Sequence, residues 1–178
     1  APAAQRIDSR ASTKNFFISL LLAGSVFGCF YPVVHHEFLN FDDPSYVVKN
    51  PHVFTGLSAA NLRWAWTSSY FSIWHPLTWI SYMLEVEIHG LDPRVFHLTN
   101  LLLHVANTVL LFLWLSRVTN SPWLSGFAAG LFALHPLRVE PVAWVSSRKD
   151  VLSTLLLILV LTAYSAYVQR PKWHRYFA

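Results

Sequence analysis

Twenty consecutive residues, Asn15 to Val34, carry no charge, and that run restricts the chain to folds that can place a helix in hydrocarbon. At 1.5 Å per residue such a run crosses about 30 Å, the thickness of a bilayer core. Val95–Leu115, Pro122–Leu134 and Val151–Val168 are three further apolar stretches. Pro122–Leu134 is short and is expected to borrow flanking residues or to cross where the protein is thin. The composition agrees: 54% of residues are hydrophobic and only 12% charged, where a soluble domain carries about 25% charged residues. Backbone polar groups in lipid must be satisfied within the segment, so the spans are helices. The expected fold class is all-α: an integral membrane helical bundle of about four transmembrane helices, with interfacial or re-entrant helices in its first outer loop.

The basic approach to the first run (Arg6, Arg10, Lys14) has the look of a signal peptide. The run exceeds a typical signal core, however, and no small-residue cleavage site follows, so a retained helix is expected. Charge placement orients the bundle. Residues 1–14, the Ser116–Ser121 turn and the tail from Gln169 hold seven of the thirteen basic residues: Arg6, Arg10, Lys14, Arg117, Arg170, Lys172 and Arg175. Such concentration beside span ends is a cytoplasmic signature. The reading is therefore a cytoplasmic segment 1–14, a transmembrane region 15–168 with outer loops 35–94 and 135–150, and a cytoplasmic tail or continuation at 169–178. A net charge of +4, scattered along the chain, leaves no nucleic-acid footprint. The single cysteine, Cys29, excludes an internal disulfide.

Within the first outer loop, Gly56-Leu57-Ser58 before Ala59–Trp66 reads as an N-cap opening a short helix. Leu62, Ala65 and Trp66 share one face, which suits a helix lying at the interface. Pro76–Ile88 is a second helical stretch, apolar but interrupted by Glu85 and Glu87.

Both outer loops are dense in polar chemistry, and charges beside hydrocarbon mark substrate paths or reactive groups. Asp42-Asp43-Pro44 in the first loop is either a turn or a carboxylate pair. Such a pair could act as a general base toward an acceptor hydroxyl or hold a divalent metal. The second loop packs His135, Arg138, Glu140, Arg148, Lys149 and Asp150 into sixteen residues. That array is either a network of structural ion pairs or an anion site in which Arg138, Arg148 and Lys149 grip a phosphate. A lipid-linked phosphate suits a site at the membrane surface. His97, Asn100, His104 and Asn107 fall on one helical face, which should be turned toward other helices or a polar cavity. The two histidines lie roughly 10 Å apart along the axis, too far to share a metal. Zinc-type Cys/His spacing, a phosphate-binding glycine loop and a nucleophile elbow are all missing.

Several motifs together carry a resemblance: Phe41-Asp42-Asp43-Pro44-Ser45-Tyr46-Val47 with Asn50-Pro51; Trp74-His75-Pro76-Leu77-Thr78-Trp79; Gly90-Leu91-Asp92-Pro93 with Phe96-His97-Leu98-Thr99-Asn100; His135-Pro136-Leu137-Arg138-Val139-Glu140; and Arg148-Lys149-Asp150-Val151. Over residues 15 to 178 the chain resembles bacterial membrane proteins carrying tetratricopeptide repeats, which are similar to the eukaryotic transmembrane and tetratricopeptide-repeat O-mannosyltransferases. The resemblance implies the N-terminal portion of a type-C glycosyltransferase in the bacterial inner membrane, with the N-terminus cytoplasmic. It would take a sugar from a polyprenyl-phosphate carrier on the outer face and pass it to an acceptor such as a protein hydroxyl. By the resemblance, Asp42 is the catalytic base and Asp43 supports it or binds metal. By position, Glu140, Arg148, Lys149 and Asp150 belong to the second outer loop facing the carrier phosphate. Arg138, where relatives tend to have His, is read from its chemistry as a further phosphate cation, and Glu140, Asp150, His75 and His135 as supporting residues. No cofactor beyond that divalent metal is implied. Members of the family run through many more spans, so a chain of this length alone would not enclose donor and acceptor. The alternative is a non-catalytic, membrane-anchored subunit of a larger membrane complex on the same scaffold.

Overall fold

The computed structural model describes residues 2–169, and every element among them is helical, without a strand. The tail 170–178, with Arg170, Lys172 and Arg175, lies outside the described residues. Eight α-helices follow one another: α1 (Pro2–Phe30), α2 (Pro51–Phe54), α3 (Ala59–Thr67), α4 (Pro76–His89), α5 (Pro93–Thr119), α6 (Pro122–Leu134), α7 (Val139–Ala143) and α8 (Arg148–Gln169). Proline opens α2, α4, α5 and α6 at a position where its missing N–H costs nothing.

Among the described residues, three segments are long and apolar enough to cross a membrane: Ser12–His35, Pro93–Thr119 and Val145–Val168. This corrects the expectation of four. Helix α6 has 13 residues and so reaches only about 20 Å at 1.5 Å per residue, with Pro122 and Pro136 closing off extension at its two ends. All-α architecture and apolar spans stand as expected.

The chain divides into two compact units. One contains α1 to Cys29, residues 102–138 and the chain from Ser153. Here α6 presents small residues, and its glycines let α1 come close. A Cβ on Gly126 would lie 2.9 Å from Ile18 Cγ2, and one on Gly130 3.7 Å from Leu22 Cδ2. Polar ties complete the packing. His104 Nε2 lies 2.9 Å from the Ala133 carbonyl, Ser116 donates to Asn15 Oδ1 at 3.2 Å, and the Trp114 indole donates to Ser165 at 2.9 Å.

The other unit contains residues 30–101 and 139–152, thus most of both polar loops. Its core is aromatic: Tyr46, Trp79, Tyr82 and Phe96 pack with Val47, Val53, Ala65, Met83 and Val145. Ser58 caps α3 by accepting from the Asn61 N–H at 3.0 Å. The buried face of α3 is Asn61 and Ala65, with Trp64 half-buried, whereas Leu62 and Trp66 face outward. Asn61 turns the helix this way because its amide donates to the Gly56 carbonyl and to Thr55 Oγ1. Gly56 sits at φ +73°, where a Cβ would collide with the Glu87 carboxylate. That carboxylate accepts the Leu57 N–H at 3.1 Å and so fastens the loop to α4.

Candidate functional site

Pro44 starts one π-helical turn, Pro44–Val48, closed by the Lys49 N–H on the Pro44 carbonyl at 2.7 Å. Such wide turns concentrate at functional sites. The turn separates the two acids before it. Asp43 is fully buried and serves as a staple between the loops. Its Oδ1 accepts from the Ser146 N–H at 2.9 Å and from the Ser146 hydroxyl, while Oδ2 accepts from the Leu39 N–H at 2.8 Å. Three donors on one carboxylate satisfy its charge inside the protein. Asp42 is only half-buried. Its carbonyl accepts the N–H groups of Ser45 and Tyr46, and its charge acts on the Tyr46 phenol, whose pKa is raised first by burial and then by Asp42.

Tyr46 is where the two loops converge. The Lys149 ammonium lies 5.9 Å from the centre of its ring and donates to the Ser146 carbonyl at 3.1 Å. His75 lies almost parallel to the same ring, 11° and 5.9 Å away, and 4.5 Å from Trp79. Burial, and then the Lys149 charge, lower the His75 pKa to about 4, so the imidazole is neutral at pH 7.

Arg148 is 0% exposed and its guanidinium is occupied by the protein. Nε donates to Asn100 Oδ1 at 2.8 Å, and one terminal nitrogen donates to Glu85 Oε2 at 2.7 Å and Ser81 Oγ at 3.3 Å. The other donates to the Phe96 carbonyl at 2.9 Å, and the group lies over the Tyr82 ring at 4.5 Å. Of the two alternatives for the second loop, Arg148 follows the ion-pair one, because a fully buried cation needs internal partners. Glu85 is raised in pKa by burial, and Arg148 pulls it back.

The unit thus assembles Asp42, Asp43, His75, Arg148 and Lys149. Glu140 and Asp150 lie on its surface, exposed. His135 and Arg138 belong to the other unit. There His135 is exposed with Nδ1 3.3 Å from the Leu137 N–H, and the Arg138 guanidinium covers the Phe132 ring at 4.5 Å. A divalent ion on the aspartate pair fits poorly, since both Asp43 oxygens already accept from N–H and O–H groups. No group of three His, Cys, Asp or Glu that could hold a metal occurs among the described residues.

Sequence reasoning passed over Ser146 and Tyr46, two ordinary residues whose importance lies in their neighbours. Glu85 and Asn100 did leave a trace. One broke an apolar helix, and the other sat in the polar stripe of α5. That stripe is buried, as expected of an interhelical face. Besides holding Arg148, Asn100 donates to the Trp144 carbonyl at 3.3 Å.

No family model and no solved structure matches the chain. Among curated proteins it is similar to protein O-mannosyl-transferase TMTC1 of mouse, 34% identical over 156 residues, which are 81% of this chain and 16% of that protein. Human protein O-mannosyl-transferase TMTC2 is 40% identical over 92 residues, 51% of this chain and 11% of that one. Drosophila melanogaster Tmtc1 is 34% identical over 101 residues, 56% of this chain and 12% of that protein. The chain thus spans about a sixth or less of the length of these relatives. They correct two expectations. The similarity runs to proteins of mouse, human and fly, so it is not specific to bacterial proteins with tetratricopeptide repeats. A bacterial inner membrane is likewise overturned as the location, because these relatives belong to animals. A membrane-spanning chain related to eukaryotic O-mannosyl-transferases is what stands.

Proposed function

We propose that this region handles the donor in a glycosyltransferase that moves a sugar from a polyprenyl-phosphate carrier to an acceptor, a protein hydroxyl in the first instance. One observation carries the reading: the Asp43–Ser146 hydrogen bond ties the loop that holds Asp42 to the loop whose Lys149 lies 5.9 Å from the centre of the Tyr46 ring. That supplies the two charges the reaction needs. The acceptor oxygen attacks the anomeric carbon while its proton passes to the Asp42 carboxylate, a general base. The bond between the anomeric carbon and the phosphate oxygen breaks, and polyprenyl phosphate leaves with the electron pair. Lys149 stabilises its growing charge. Asp43 and Arg148 act as positioning residues, one holding the loops together and the other fixing the start of α8. Mannose is the sugar to test first, on the strength of the relatives' names.

The test is transfer of labelled mannose from polyprenyl-phosphate mannose by the full-length protein. Asp42→Asn is expected to cut transfer at least about 100-fold, the lower end for a lost general base, with folding intact because the side chain is half-exposed. Transfer at the wild-type rate by this variant would remove Asp42 from the mechanism.

A further inference from the structure

Beside the two charges lies a set of groups that the transfer chemistry leaves unused. His75 holds both ring nitrogens away from solvent without a hydrogen-bond partner, and the Trp79 indole nitrogen, next to it, is in the same condition. Buried polar groups are nearly always paired, so three unmet nitrogens in one place call for an explanation. Near them the backbone is strained. Phe71 and Ser72 adopt φ of +53° and +59°, a conformation that non-glycine residues rarely hold and that clusters at ligand-binding segments. The strained turn sets the Phe71 ring flat on Tyr46, 5.2 Å away at 11°, although half of Phe71 remains exposed. Phe71 and His75 are thus both nearly parallel to Tyr46.

Tyr46 and Trp79 are buried, with the Phe71 ring stacked on Tyr46; uncovered, an aromatic face edged by hydrogen-bonding nitrogens matches one ligand chemistry closely. A pyranose presents a face of C–H groups, which the negative face of an aromatic ring attracts, and a rim of hydroxyls. A neutral imidazole offers one donor and one acceptor, and each hydroxyl offers both, so two neighbouring hydroxyls would satisfy the His75 ring. The Asp42 carboxylate and the Lys149 ammonium act on the same Tyr46, which sets this surface beside the groups assigned to base and leaving phosphate.

We propose that Tyr46, His75 and Trp79 form the subsite for the transferred sugar, with Phe71 as its cover and His75 bonding the sugar hydroxyls once the Phe71–Ser72 turn moves aside. This rests on the reading above, and the two can fail separately. The experiment measures binding of polyprenyl-phosphate mannose and of bare polyprenyl phosphate to the full-length protein in lipid nanodiscs. The variants are His75→Phe, which keeps a ring against Tyr46 and Trp79 but loses both nitrogens, and His75→Gln, which restores a donor and an acceptor. Expected is about tenfold weaker binding of the mannose carrier by His75→Phe, the scale of a lost hydrogen bond or two. His75→Gln should recover part of the loss, and bare carrier should bind both variants as it does wild type. Unchanged affinity of His75→Phe for the mannose carrier, or equal loss for both carriers, overturns the sugar subsite and leaves the transferase reading standing. Wild-type protein that binds neither carrier overturns both.

Discussion

Arg148 and Asp43 show how one buried charge can govern a loop. Each lies at zero exposure, and each escapes the cost of leaving water through several aligned hydrogen bonds. Removing one partner of such a pair costs far more than the pair contributes, because the survivor is stranded. Arg148→Met should therefore lower stability by about 3–5 kcal/mol, and the loss should depend on pH. Burial already raises the Glu85 pKa, with Arg148 as the main opposing influence. Without Arg148 it rises further above its unfolded value. An acid with a raised folded pKa loses stability as pH climbs from the unfolded value through the folded one. Thermal unfolding of the variant in detergent should thus fall furthest behind wild type at pH 8 and come closer to it at pH 5. A pH-independent gap would mean that Glu85 is not stranded.

Among the elements, α6 was the least legible. Its composition announces an apolar helix, yet its 13 residues fall short of a span, and its packing depends on what it lacks. Close approach of membrane helices relies on small residues, and the α1 side chains Ile18 and Leu22 occupy the room left by Gly126 and Gly130. The two glycines should respond differently. Gly126→Leu drives a branched side chain into Ile18 and is expected to cost about 1–3 kcal/mol. Gly130→Ala meets Leu22 at ordinary contact distance and should be neutral or slightly stabilising, alanine being the better helix former. Unfolding midpoints of the two variants in one detergent check this, and equal midpoints would contradict it. Helix α3 is a related case. The sequence announced its start at Ser58, and the hydrogen bonds of Asn61 set which side turns into the protein, leaving Leu62 and Trp66 exposed.

Across the whole molecule, the three apolar spans and the meeting of the loops carry the topology. Asp43 of the first loop and Ser146 of the second are hydrogen-bonded, and the expectation that follows is a common membrane face for both loops. Cysteines introduced one at a time at the exposed positions Lys49 and Glu140, after Cys29→Ser, should react with an impermeant thiol reagent from the same side of sealed vesicles. Labelling from opposite sides would be incompatible with the Asp43–Ser146 contact. With relatives about six or more times as long as the aligned stretch, activity has to be measured on the full-length protein.

A helical membrane chain, the course of its long spans and the gathering of polar residues in two loops can all be read from the residues alone. Those features are local: hydrocarbon thickness sets the length of an uncharged run, and a charge beside such a run is visible without a partner. Which charges turn inward was decided only by tertiary structure. Arg148 and Lys149 are neighbours of similar chemistry, yet one is fully enclosed and the other approaches Tyr46, because a buried cation goes where acceptors converge. Glu85 lies 63 positions from Arg148 in the chain, and Ser146 103 from Asp43. Only the packing of helices brings such partners within hydrogen-bond reach.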